Sequence, residues 1–165
     1  MKELFLIECL YNNIKGYCLW FSDDKDGLLC DGNYRVLCFP NKSAVQKYLS
    51  ESNLYLQNDE TAQYDFDKLE QWTNNKSLIV DCVEILNFWN MFTDFAYTTY
   101  QKFIGDKRDR TTRLIYDKLF YGTNLLTPED EEHYFPDWDL EQINMIKSVM
   151  KNGLDIVCSN LAVFY

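Results

Sequence analysis

The stretch DCVEILNFWNMFTDFAYTTYQKFIG, residues 81–105, decides how this chain folds. Ile85, Leu86, Phe88, Trp89, Phe92, Phe95, Ala96, Thr99 and Phe103 recur in it at helical spacing. Asp81 is a suitable N-cap, and Glu84 stands at the third helical position. The spacing predicts a helix from Asp81 to about Ile104, stopped by Gly105. An apolar face this wide needs neighbours on several sides, which makes this the central helix. A polar stripe crosses it, with Glu84, Asn87, Asn90 or Met91, and Asp94 falling three to four residues apart. A solvent-facing stripe is the plain reading. A buried polar network holding neighbouring loops, or a catalytic carboxylate, are its alternatives.

Upstream of this helix the pattern is that of strands. Leu4 to Leu10, the turn-like Tyr11-Asn12-Asn13, and Ile14 to Phe21 read as a hairpin. Ser22 to Gly27 is a polar turn, and Leu28 to Cys30 and Tyr34 to Phe39 continue the sheet around Asp31-Gly32-Asn33. Pro40 ends it. Ser43 suits the N-cap of a short helix, Ala44 to Leu49, with Val45 and Leu49 on one face. Residues 51–63 are polar and read as loop, with at most a brief strand at Leu54-Tyr55-Leu56. Asp65 caps a short helix carrying Phe66, Leu69 and Trp72 that closes near Asn74-Asn75.

Downstream, a helix is expected from Thr111 to Tyr121, with Leu114, Ile115 and Leu119 inward and Gly122 as terminator. A long polar loop runs from Thr123 to Asp137. Asp139 with Gln142 makes a capping box, and Leu140, Ile143, Ile146, Val149 and Met150 form a stripe up to Gly153. Leu154 to Tyr165 is apolar enough for one or two closing strands. The fold class is therefore α+β: N-terminal antiparallel strands, a helical half around a long aromatic helix, and a closing C-terminal strand. No linker or repeat divides the chain, so residues 1–165 are expected to form one domain.

Sixteen Lys and Arg stand against 26 Asp and Glu, a formal net charge of −10. That balance argues against DNA, RNA or an anionic membrane as a ligand, each of which needs a basic footprint. A basic protein is the natural long-range partner, since opposite fields speed association. Residues 101–118 hold six basic residues and three acids, which concentrates negative charge elsewhere. The acids gather in Asp23, Asp24 and Asp26; in Asp59, Glu60, Asp65, Asp67 and Glu70; and in Glu129, Asp130, Glu131 and Glu132. Each cluster adjoins aromatics, among them Trp20, Tyr64, Tyr134 and Trp138. Carboxylates steer and pair with Arg or Lys, and rings supply contact area, so these acids with Tyr134 and Trp138 are the candidate partner-binding residues. The plainer alternative is a solvated surface over aromatic core residues.

Nothing in the sequence carries an obvious catalytic or cofactor signature. His133 is the one histidine and lies in the acidic run Glu129 to Glu132. The six glycines form neither GxGxxG nor a phosphate loop, and no acidic stretch has EF-hand spacing. Cys9, Cys18, Cys30, Cys38, Cys82 and Cys158 show no CxxC and read as reduced, buried thiols. No cofactor and no metal is expected. The short apolar run after Met1 carries Glu8 and reads as a strand, which points to the cytoplasm.

At Ile85-Leu86-Asn87-Phe88-Trp89-Asn90-Met91-Phe92-Thr93-Asp94 and at Ile115 to Leu126 the sequence resembles a family of small immunity proteins. These accompany polymorphic toxins, including contact-dependent growth inhibition systems. The similarity extends through Tyr134-Phe135-Pro136-Asp137-Trp138 and the last helix, covering roughly residues 64–155. It implies a cytoplasmic protein that binds and neutralises a cognate toxin domain, often a nuclease whose basic substrate groove an acidic protein can occupy. It assigns no binding residue. An acidic adaptor in another complex is the competing reading, and a carboxylate-dependent hydrolase a third.

Overall fold

Asn12 and Asn13 both take left-handed backbone angles, φ 51° and 58°, the pair of positive values that a type I′ turn requires. They join Glu3–Tyr11 (β1) to Ile14–Ser22 (β2), antiparallel from Glu3↔Ser22 to Tyr11↔Ile14. The protein is seen here as a computed structural model that describes residues 3–163. Gly27–Leu28 (β3) pairs with β2, and Leu56–Asp65 (β5) runs parallel to β1, giving the order β3-β2-β1-β5. Val36–Cys38 (β4) and Leu161–Val163 (β6) form a separate parallel pair.

Side chains alternate across a strand, so the main sheet has two apolar faces. Leu4, Leu6, Tyr17 and Leu19 meet Val45 and Leu49 of Lys42–Glu51 (α1) in a smaller core. Ile7, Cys9 and Cys18 join the larger core of the helical half. That half comprises Phe66–Asn74 (α2), Cys82–Thr99 (α3), Arg110–Gly122 (α4) and Leu140–Asn160 (α5). At its centre Phe88, Trp89, Phe92 and Phe95 of α3 are at most 2 % exposed. The Phe92 ring packs against Phe66, Phe88 and Phe103 at centroid separations of 6.2, 5.8 and 5.9 Å. The architecture is the expected α+β arrangement, strands first, helices next and a closing strand. Among the described residues no helix is long and apolar enough to cross a membrane.

Several local expectations are corrected. The segment expected as loop over residues 51–63 contains most of β5. An edge strand is held by backbone bonds to one neighbour and shows solvent on much of its surface, so no apolar alternation marks it. The N-cap of α1 is Asn41, whose side chain accepts from the Ala44 N–H at 2.9 Å, rather than Ser43. Helix α3 ends at Thr99, not near Ile104, because Tyr100 turns left-handed at φ 54°. That reversal brings Phe103 back onto Trp89 and Phe92, with a short 3-10 turn at Ile104–Asp106.

Helix α4 starts at Arg110 behind an Asp109 cap, and Leu114 is exposed while Thr112, Ile115 and Leu119 face inward. The strands expected at 28–30 and 34–39 shrink to β3 and β4. Helix α5 passes through Gly153 and continues to Asn160, leaving only β6 as strand. Phe164 and Tyr165, expected in that closing segment, lie outside the described residues. Gly153 is a packing glycine rather than a terminator: a methyl there would fall within the Phe92 ring.

A glycine in a helix interior ordinarily costs about 1 kcal/mol relative to alanine. Here Gly153→Ala is expected to destabilise the protein by about 1–3 kcal/mol through overpacking against Phe92. Urea denaturation reads the sign directly, and a gain in stability would show that Phe92 moves freely.

Candidate functional site

Period-two alternation points Phe5 and Ile7 of β1, Trp20 of β2 and Tyr64 of β5 toward the side of the sheet that α3 covers. α3 does not close over the whole face. A groove of about 710 Å³ remains between the sheet and the helix, within the size range of ligand clefts. Its rings are Phe5, Trp20 and Tyr64, with the Phe5 and Trp20 centroids 5.3 Å apart. Its charged side chains are Asp26, Glu60 and Asp94, and no Lys or Arg stands among the lining residues. Asn87, Asn90 and Thr93 complete the polar side along α3.

Each carboxylate has an identifiable local cause. The β1–β5 register slips between Leu4↔Leu56 and Leu6↔Thr61, and the extra β5 residues carry Asn58, Asp59 and Glu60 out of the regular ladder. Asn58 steadies this bulge by accepting from the Glu60 N–H at 3.1 Å. Asp26 accepts from the Ser22 hydroxyl at 3.0 Å within the β2–β3 turn. Asp94 accepts from the Trp20 indole N–H at 2.9 Å and is half-buried. Burial raises its pKa; the indole bond opposes this, and the nearby Asp26 and Asp106 charges add to the rise, leaving it at about 6. Tyr64, beside it, is pushed up to about 12, by burial first and then by Cys9 and Asp94.

The expected acidic clusters divide by position. Asp26 and Glu60 enter the groove; Asp23, Asp24 and Asp59 are exposed on the turn and bulge beside them. Asp65 caps α2 through the Lys68 N–H at 2.8 Å. Asp67 secures the hairpin, its two oxygens accepting from the N–H groups of Asn12 at 2.6 Å and Asn13 at 2.8 Å. Glu70 is exposed on α2, outside the groove. Glu129, Asp130, Glu131 and Glu132 lie exposed on the loop before α5, far along the chain from the groove's walls. On that loop Tyr134 is held by its backbone to the Asn124 side chain. Trp138 packs against the core with the Lys118 ammonium 4.7 Å from its ring centre.

Of the stripe weighed on the aromatic helix, Asn87, Asn90 and Asp94 line the groove, whereas Glu84 pairs with Lys68 at 2.9 Å. Nothing in residue order marks Phe5, Trp20 and Tyr64 as neighbours of Asp94, since their strands lie far from it in the chain. None of the six cysteines forms a disulfide, and Cys158 is exposed and Cys30 and Cys38 half-buried where buried thiols were expected. At Cys18 the Cys38 hydrogen bond lowers the pKa, but the Cys9 bond and burial push it well up, while Cys38 is pushed far up by the Cys18 bond and by burial. Thiols held protonated in this way are poor nucleophiles.

Two outcomes follow from this geometry. The Asp94 pKa is raised on folding, so its favourable contribution is full below about pH 4 and lost as pH rises through about 6. Asp94→Asn is therefore expected to be more stable than the parent at pH 7.5 by about 1–2 kcal/mol, allowing for screening by the solvent it meets. The difference should vanish at pH 4, as denaturation at both pH values would read; a variant less stable at pH 7.5 contradicts the assignment. Asp67→Ala should cost about 1.5–3 kcal/mol by releasing the Asn12-Asn13 turn, which thermal unfolding measures.

Comparison with known proteins shows the fold and no family. No family model matches the chain, and no curated protein matches it. Among solved structures it is similar to the C-terminal domain of SatS, determined in complex with bromine, with a TM-score of 0.55 and 12% identity. That likeness covers 98% of this chain and 94% of the other, so the whole α+β arrangement is shared.

Proposed function

We propose that the protein is an immunity protein that works in the cytoplasm by binding and neutralising a basic toxin domain, without catalysis of its own. The observation that carries this reading is the groove: three carboxylates and three rings line it, with no basic residue. Such a lining repels phosphate and favours an Arg or Lys side chain, whose charge meets the carboxylates and whose stem or plane lies on the rings. The net charge of −10 extends the same preference to long range. A nuclease toxin, which needs a basic surface for its own substrate, meets both requirements. The resemblance of residues 64–155 to immunity proteins of polymorphic toxins points the same way.

One observation favours a second reading. A groove carboxylate with a pKa of about 6, Asp94, has the character of a general acid, and Glu60 and Asp26 line the same space. A hydrolase of this kind would lose turnover in Asp94→Asn while remaining folded. An inhibitor would keep its protective effect in part, because one carboxylate of three is removed.

The test is co-expression with the C-terminal domain encoded by the neighbouring gene, read by growth and by pull-down. Rescue of growth with a one-to-one complex is expected, and the complex should associate at least tenfold more slowly at high salt than at low. Glu60→Lys should slow association at low salt by a similar factor. A domain that is harmless and fails to bind would favour an adaptor role in another complex.

A further inference from the structure

The groove takes up Asn87, Asn90 and Asp94 of the exposed stripe of α3 and leaves out Val83. Val83, Asn87, Asn90 and Asp94 follow at intervals of four, three and four, which at about 100° per residue keeps them within about 60° of arc. Val83, Asn87 and Asn90 are exposed and Asp94 is half-buried, so the stripe is open surface over about 16 Å at ~1.5 Å per residue. Away from the groove, at Val83, it runs into a hollow of about 450 Å³. Leu78, Ile79, Phe135 and Trp138 are among its walls. Ile79 and Phe135, on its walls, are each 80% exposed, an unusual state for large apolar side chains around one hollow.

The backbone on both walls is tied down by side chains. The Asn124 side chain clasps Tyr134 at both backbone groups, accepting from its N–H at 2.7 Å and donating to its carbonyl at 2.9 Å. That clasp fixes the segment that displays Phe135. The Trp72 indole donates to the Ile79 carbonyl at 2.8 Å and fixes the opposite wall. Gly122 lets α4 approach closely, since a methyl there would press on Cys82 and Pro136. Wall segments tied down in this way lose little backbone freedom when covered, which suits a docking hot spot.

Charge identifies the occupant. Between Thr123 and Trp138 the chain carries Glu129, Asp130, Glu131, Glu132 and Asp137 and no Lys or Arg, and Asp81 and Asp137 line the hollow itself, so acids prevail there although the Lys118 ammonium lies on the Trp138 ring. A second copy related by a two-fold axis would set this acidic rim against itself. We propose that the hollow, with the exposed Ile79 and Phe135 on its walls, forms one continuous docking surface with the acidic groove along α3. Its occupant is a basic protein that presents an apolar side chain to the hollow and Lys or Arg to the groove. This rests on the reading of the protein as an inhibitor of a basic toxin, and adds to its footprint an apolar anchor at Ile79 and Phe135.

The test measures association and dissociation rates against a catalytically inactivated form of the neighbouring gene's C-terminal domain, at two salt concentrations. Ile79→Ser with Phe135→Ser should leave thermal stability, association rate and salt dependence unchanged and raise the dissociation rate at least tenfold. Glu60→Gln should do the reverse, slowing association and flattening the salt dependence. Normal dissociation of the double variant, with Glu60→Gln still impaired, overturns the apolar anchor and leaves the toxin reading standing. No binding by the parent protein overturns both. Self-association of the parent in sedimentation, abolished by the double variant, would make a second copy the occupant and overturn the proposal.

Discussion

Burial of the aromatic face of α3 is the constraint on which the rest of the structure depends. Phe88, Trp89, Phe92 and Phe95 project from one 18-residue helix, and each is at most 2% exposed. No single neighbour could cover rings spread over so wide an arc, so the sheet, α2, α4, α5 and the 3-10 turn all contribute. The fit is tight where two elements meet. Gly153 leaves room for the Phe92 ring within α5, and the left-handed Tyr100 returns Phe103 to the same ring. Interiors packed at this density tolerate little change in volume, which makes a glycine in the middle of a helix a structural requirement.

The same constraint defines what remains open. With most of α3 enclosed, its exposed stripe passes from Val83 through Asn87 and Asn90 to Asp94. Asp94 shows the tension most clearly. Its carboxylate sits partly out of water between Trp20 and the acids Asp26 and Asp106, which is unfavourable for the ionised form at neutral pH. A charge held at some cost to folding in the wall of a groove is the kind of local inconsistency that function tends to require. A cationic partner group would relieve it, whereas a phosphate would aggravate it.

Much of the fold was legible from residue order. Helix α3 declares itself by apolar spacing, α2 and α5 by their caps at Asp65 and Asp139, and the hairpin by Asn12-Asn13. These signals are local, since a cap or turn involves groups a few residues apart. The misread elements had non-local causes. Gly153 looked like a helix stop because its partner, Phe92, lies some sixty residues earlier in the chain. β5 looked like loop because an edge strand with charged side chains owes its existence to β1. The candidate site was legible only in part: Asp26 and Glu60 were marked by acid clustering, but Asp67 and Asp65 carried the same signature and serve as a turn brace and a helix cap.

The sequence by itself determined the fold class, the acidic field and the central helix. Periodicity, caps and net charge are properties of the linear chain and need no partner in space. Only the tertiary structure decided that Asp94 joins Asp26 and Glu60 around three rings, and that Ile79 and Phe135 flank one exposed hollow. It also decided that the stripe of α3 connects these two places. The reason is physical. A side chain's chemistry is written in its identity, but its burial, field and neighbours come from strands and helices that meet only when the aromatic face of α3 is covered.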